Sequence, residues 1–138
     1  MAEMRPRIIT AGILLLIAFF TGGCLEQDTG MNPETGTLEI NVTIGPLCPI
    51  EPCEISEAQK ENIYFARTIQ IYTEGRKRLV GEFSPGSEGG IRTELEAGTY
   101  LVDMKPLGID TTPDLPAEVR ILSGKITFME VSIDTGIR

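Results

Sequence analysis

The residues that could do chemistry are three cysteines, scattered carboxylates and a few aromatics, in a chain of 138 residues with no histidine. Cys48 and Cys53 enclose Pro49, Ile50, Glu51 and Pro52. A redox couple of the Cys-x-x-Cys kind needs closer spacing than this. A structural zinc site takes four ligands, commonly Cys and His, and this pair supplies only part of the set. In an oxidising compartment the pair reads as a structural disulfide closing a proline-stiffened loop. A closed loop this small contributes about 2 kcal/mol through chain entropy. Cys24 is left over, and its chemistry depends on what precedes it.

Residues 1–7 carry Arg5 and Arg7, and residues 8–20 form an uncharged, largely apolar run. This is a basic region followed by the short hydrophobic core of an export signal. A bilayer-spanning helix needs about 20 apolar residues, so the run is short for a permanent anchor. It breaks at Thr21-Gly22-Gly23-Cys24. Small residues before a cysteine resemble the lipobox of prolipoproteins, which implies lipid on Cys24 and cleavage just before it. Ordinary cleavage and a retained anchor are the alternatives. Loss of residues 1–23 removes Glu3, Arg5 and Arg7 and takes the net charge from −8 to −9. That balance excludes a nucleic-acid partner, which requires a basic stripe. It also opposes adsorption to anionic lipid, so the expected membrane partner is reached through the N-terminus. Two acyl chains would hold durably where one would not. The expected location is the extracytoplasmic side of the membrane.

The one catalytic motif the chain carries lies out of context. Asp-Thr-Gly occurs at Asp28-Thr29-Gly30 and at Asp134-Thr135-Gly136. Paired aspartates of this kind share a proton in aspartic proteases. Here one copy lies in a tether and the other flanks a strand, where the tripeptide is turn chemistry. There is no Gly-x-Ser-x-Gly elbow and no glycine-rich phosphate loop followed by Lys. Carboxylates would have to carry all acid–base work, and the sequence singles out no pair. We therefore expect no enzyme, no catalytic residue, no cofactor and no metal. Asp110 and Asp114 lack the ligand spacing of a calcium loop and read as a solvated loop. Asn41-Val42-Thr43 fits a glycosylation sequon, with Asn41 on a polar strand face. Tyr64, Tyr72 and Phe128 are expected to point outward as a candidate ligand or partner surface, while Phe83 and Tyr100 read as core.

The elements that position these residues are strands. Residues 1–23 form the signal segment, 24–36 a polar tether rich in turn formers, and 37–138 the folded domain. Leu38, Ile40, Val42 and Ile44 alternate with Glu39, Asn41 and Thr43, the mark of a half-buried strand. Residues 54–62 suggest a single helical turn. Further strands are expected over 64–73, 79–83, 91–95 and 99–104, around Val119 and Ile121, and over 126–133. Within these, Ile69 and Ile71 face inward, as do Tyr100, Val102 and Met104, and Met129, Val131 and Ile133. Seven short strands separated by turn residues imply an all-β domain, a single antiparallel seven-stranded β-sandwich.

Ile69-Gln70-Ile71-Tyr72, then Gly89-Gly90-Ile91, then the run from Leu95 through Gly98-Thr99-Tyr100 to Asp103 resemble carboxypeptidase regulatory-like and transthyretin-like domains. The resemblance implies a hairpin turning at Gly98, with Tyr100 packed inward. Such domains are stabilising or interaction modules. The resemblance thus implies a non-catalytic interaction or envelope-accessory role beside another surface protein. The alternative is a module that binds a glycan or another small ligand. A transthyretin-related hydrolase of this group works through histidines, which this chain lacks.

Overall fold

The structure, a computed structural model, describes residues 34–50 and 52–138. The expected signal segment 1–23, the lipidation residue Cys24, the tripeptide at Asp28 and most of the tether lie outside these residues. The described chain belongs to the compact unit Met31–Arg138.

Among the described residues seven strands follow in order: β1 (Thr35–Gly45), β2 (Ile69–Thr73), β3 (Leu79–Phe83), β4 (Gly90–Glu96), β5 (Gly98–Met104), β6 (Ala117–Ile121) and β7 (Ile126–Asp134). They form a three-stranded sheet of order β4-β1-β7 and a four-stranded sheet of order β3-β2-β5-β6. Period-two alternation sends one face of each strand into a common core. Leu38, Ile40, Val42 and Val131 come from the first sheet, and Ile69, Ile71, Val102 and Ile121 from the second, all almost wholly buried. The domain is therefore mostly β, with two sheets and seven strands as expected.

The expectation of a purely antiparallel arrangement is corrected at β1 and β7, which pair in parallel from Thr37↔Ile126 to Gly45↔Asp134. β4 runs antiparallel to β1, and every pairing within the four-stranded sheet is antiparallel, so β1–β7 is the one parallel pair among the described residues. The turn at Gly98 is corrected too. β4 pairs with β1, while β5 pairs with β2 and β6, so Gly98 makes a corner between sheets, not a hairpin. Its φ of +157° suits glycine, and the Tyr100 hydroxyl donates to the Glu96 carbonyl across the corner at 2.7 Å. This tie resembles the tyrosine corner of β-sandwiches.

Residues 64–68 are not the start of β2, because a helix, α1 (Glu57–Phe65), runs through Phe65 and a short turn over 66–68 leads into β2. Its signal is a capping box. The Gln59 N–H donates to Ser56 Oγ at 3.2 Å, and the Ser56 N–H donates back to Gln59 Oε1 at 2.9 Å. Just past the helix, Arg67 forks onto Asp110, with Nε 2.8 Å and Nη2 3.3 Å from the two carboxylate oxygens, and fixes the loop after β5.

Candidate functional site

The strand register assembles a row of side chains across the outer face of the three-stranded sheet. Glu39 on β1 stands between Arg92 on β4 and Phe128 on β7. The next row places Asn41 between Gly90 and Glu130. A side chain at Gly90 would meet nothing within 4 Å, so the row is open at that end. Together these residues line a shallow groove of about 570 Å³. Arg92 pairs with Glu39, while Asn41 and Glu130 make no side-chain hydrogen bond among the described residues. Phe128 is 72% exposed on the rim of the groove, the outward position expected of it. It is an apolar ring beside a charge pair, a free amide and a free carboxylate, a combination suited to contact and not to bond-breaking.

The other two aromatics are elsewhere. Tyr72 lies on the outer face of the four-stranded sheet, half-buried, under the Arg76 guanidinium, 4.8 Å from its ring centroid. Its hydroxyl donates to Gln70 Oε1 at 3.1 Å, and Gln70 in turn donates to Glu82 at 2.8 Å. Arg76 also pairs with Asp103, which pushes the guanidinium pKa up. Tyr64 is corrected from outward to core. It is 8% exposed, on the inner side of α1. The helix changes the side-chain period from 2.0 to 3.6 there, and the strand alternation used for Tyr64 no longer applies. The three expected surface aromatics are thus divided among the core and two sheets.

The carboxylates set aside as chemistry have structural partners. Asp110 is not solvated: its side chain is 5% exposed against Arg67. Asp114 accepts the Ser132 N–H at 2.7 Å. Asp134 accepts the Gly136 N–H at 2.8 Å and the Arg138 guanidinium at 2.9 Å, both of which hold its pKa below the ordinary carboxylate value. The second Asp-Thr-Gly is therefore a turn, as expected, and the buried Thr135 hydroxyl ties it to the Pro46 carbonyl. Cys48 and Cys53 are joined by a disulfide, with Cα atoms 5.6 Å apart. Among the described residues no cluster of acidic, Cys or His groups could hold a metal ion, and no helix is long and apolar enough to cross a membrane.

Glu39, Arg92 and Glu130 were not singled out from sequence, because only the β1 register brings β4 and β7 to its two sides. Alternation alone puts each of them on an outer face, and no local signal joins them.

No protein-family model matches the sequence, and no curated protein matches it. Solved structures show a likeness of differing strength. The minor pilin of the gram-positive pathogen Streptococcus agalactiae is 12% identical, with 73% of this chain and 44% of the pilin covered at a TM-score of 0.50. A streptococcal ancillary pilin is 10% identical over 75% of this chain and 33% of its own, with a TM-score of 0.48. A DUF3823 family protein from Parabacteroides merdae is 15% identical over 75% and 46%, with a TM-score of 0.41. This chain spans less than half the length of each. The first likeness places the domain among all-β folds of this two-sheet kind, and at such identity it speaks to fold alone.

Proposed function

We propose that this is a non-catalytic interaction module, exported and held at the extracytoplasmic membrane surface by lipid on Cys24, whose contact surface is the outer face of the β4-β1-β7 sheet. The observation that carries the reading is Phe128. A large aromatic side chain left 72% exposed, beside a groove with an uncommitted amide and carboxylate, is the kind of anchor that interfaces bury. Everything else on the domain that resembled chemistry is engaged in holding the fold together. Likeness to carboxypeptidase regulatory-like and transthyretin-like domains is in keeping with an accessory role, and the S. agalactiae minor pilin shares the architecture.

The test is a paired one in the protein's own host. Phe128→Ala should deplete the high-mass complex containing the full chain on native gels of detergent-solubilised membranes, with its melting temperature unchanged. A complex of undiminished yield would refute the surface. Intact mass of the membrane-extracted chain tests the anchor, which predicts a chain beginning at lipid-modified Cys24. An unmodified Cys24 or a retained Met1 would refute it.

A second reading is favoured by the groove itself. Phe128 flanked by Glu39, Asn41, Arg92 and Glu130 presents a flat apolar ring with several hydrogen-bonding groups, as a saccharide site does. Glycan-array binding that disappears in Phe128→Ala would identify the partner as a glycan.

A further inference from the structure

We propose that the open stretch of the β7 edge, at Phe128 and Glu130, takes an extended segment of another protein as an added strand. The outward face of that segment would carry a Lys or Arg followed, two and four residues on, by apolar side chains. The proposal rests on the interaction-module reading and names the partner's chemistry.

The main-chain directions come from the end of the strand. The Ser132 N–H donates to Asp114, the Asp134 N–H donates to the Thr111 carbonyl at 2.8 Å, and the Thr111 N–H donates back to Asp134 at 2.9 Å. Residues 132 and 134 therefore turn their backbone groups away from β1. In a strand, alternate residues direct their N–H and C=O to the same side. Phe128 and Glu130 thus aim theirs off the same edge, and none of these four groups has a partner among the described residues. The loop that covers the end of β7 stops at Ser132.

A sheet edge left open in this way is normally blunted by shortness, a bulge, Pro, or charges, Lys above all. The three other edges carry such devices. β3 is five residues long, pairs across a register shift at Ile71/Tyr72, and follows Lys77 and Arg78. β6 is five residues long and carries Glu118 and Arg120. β4 presents Arg92 and Glu94. β7 runs for nine residues with no Pro, Gly, Lys or Arg, has Glu130 and Asp134 as its only charges, and exposes Ile126 and Phe128 in its first half. What satisfies a row of main-chain donors and acceptors is another strand. Its side chains are dictated by cross-strand pairing: a cation opposite Glu130, then apolar groups opposite Phe128 and Ile126 in an antiparallel partner. The chain's net charge of −8 favours a basic segment further and disfavours a second copy of itself.

The probe is the peptide acetyl-Thr-Lys-Thr-Val-Thr-Val-Thr-amide, added to the detergent-solubilised full chain, beside the same peptide N-methylated at its Lys and first Val. The unmodified peptide should bind and slow amide exchange at Phe128 and Glu130, and the methylated one should not. Glu130→Pro removes an edge N–H where proline is tolerated, and it should weaken binding by roughly tenfold or more with the circular-dichroism spectrum retained. Glu130→Gln, which keeps the N–H, should lose less. Equal binding of the methylated peptide, wild-type affinity in Glu130→Pro, or no binding at all overturns the edge. Should Phe128→Ala deplete the native complex while Glu130→Pro leaves it intact, the contact surface stands and the added strand falls. A purified chain that dimerises and becomes monomeric in Glu130→Pro would give the edge to a second copy and overturn the proposal.

Discussion

On the outer face of the four-stranded sheet, Tyr72 lies under Arg76, and its hydroxyl leads through Gln70 to Glu82, while Arg76 reaches across to Asp103. On the outer face of the three-stranded sheet, Phe128 covers nothing comparable, and Asn41 and Glu130 beside it are uncommitted. Both faces alternate polar and apolar residues in the same way, and both carry an aromatic in mid-strand. They differ in whether all of the polar groups around the ring are spent on one another: beside Phe128, Arg92 pairs with Glu39 but Asn41 and Glu130 stay unpaired among the described residues. Where they are spent, the face is complete within the chain. Where they are not, burial against a partner has something to gain.

The largest expected effect lies beneath the first face. Tyr100→Ala removes a buried ring and the hydroxyl tie to Glu96, and should cost about 3–5 kcal/mol in denaturant unfolding. Glu96→Ala, at the exposed end of the same corner, keeps the carbonyl and should change stability by less than about 0.5 kcal/mol. If Glu96→Ala proved the damaging change, the orientation of β5 would be wrong. Beneath the second face the sensitive point is Gly89. Its φ is +82°, and a Cβ there would approach the Val42 carbonyl oxygen to 2.0 Å. Gly89→Ala should cost about 2 kcal/mol, and an unchanged melting curve would contradict this packing.

The faces themselves come next. Tyr72→Ala gives up a stacked guanidinium and a hydrogen bond, so a loss of about 1 kcal/mol is expected. Phe128→Ala, starting from an exposed ring, should lose less than about 0.5 kcal/mol and register in partner binding instead. Equal stability losses would erase the distinction between the faces.

The smallest effect concerns pH. The Asp134 carboxyl has a lowered pKa because Arg138 and the Gly136 N–H favour its ionised form. A folded pKa below the unfolded one means stability that is present above the ordinary value of 3.8 and lost as pH falls through the folded pKa. Amide protection of residues 135–138 should therefore decline below about pH 4, and it should be insensitive to acid in Asp134→Asn. Protection that fell instead at neutral pH would exclude this lock.

Much of the fold was legible because strand alternation is local. The inward sets in β1, β5 and β7 follow from residue type at every second position, and the Cys48–Cys53 loop follows from spacing. Pairing was not legible. The turn residues around Gly98 record that the chain reverses, and nothing local says whether the returning strand joins the same sheet. The helix over Glu57–Phe65 was nearly invisible for another reason. It presents little more than Ile63 and Tyr64 to the core, too few for a period of 3.6, although the Ser56–Gln59 capping box marked its start. Only part of the candidate site was readable. Phe128 stood out by type and alternation, whereas Glu39, Arg92, Gly90 and Glu130 gather around it only through the β4-β1-β7 register.

The most direct measurement is site-specific photo-cross-linking of the full chain in its own cell envelope, with benzoylphenylalanine placed in turn at Phe128 and at Tyr72. The account predicts a discrete adduct from position 128 that is absent from position 72. An adduct from position 72 with none from 128 would contradict it, because the face that satisfies its own polar groups would then be the one that binds.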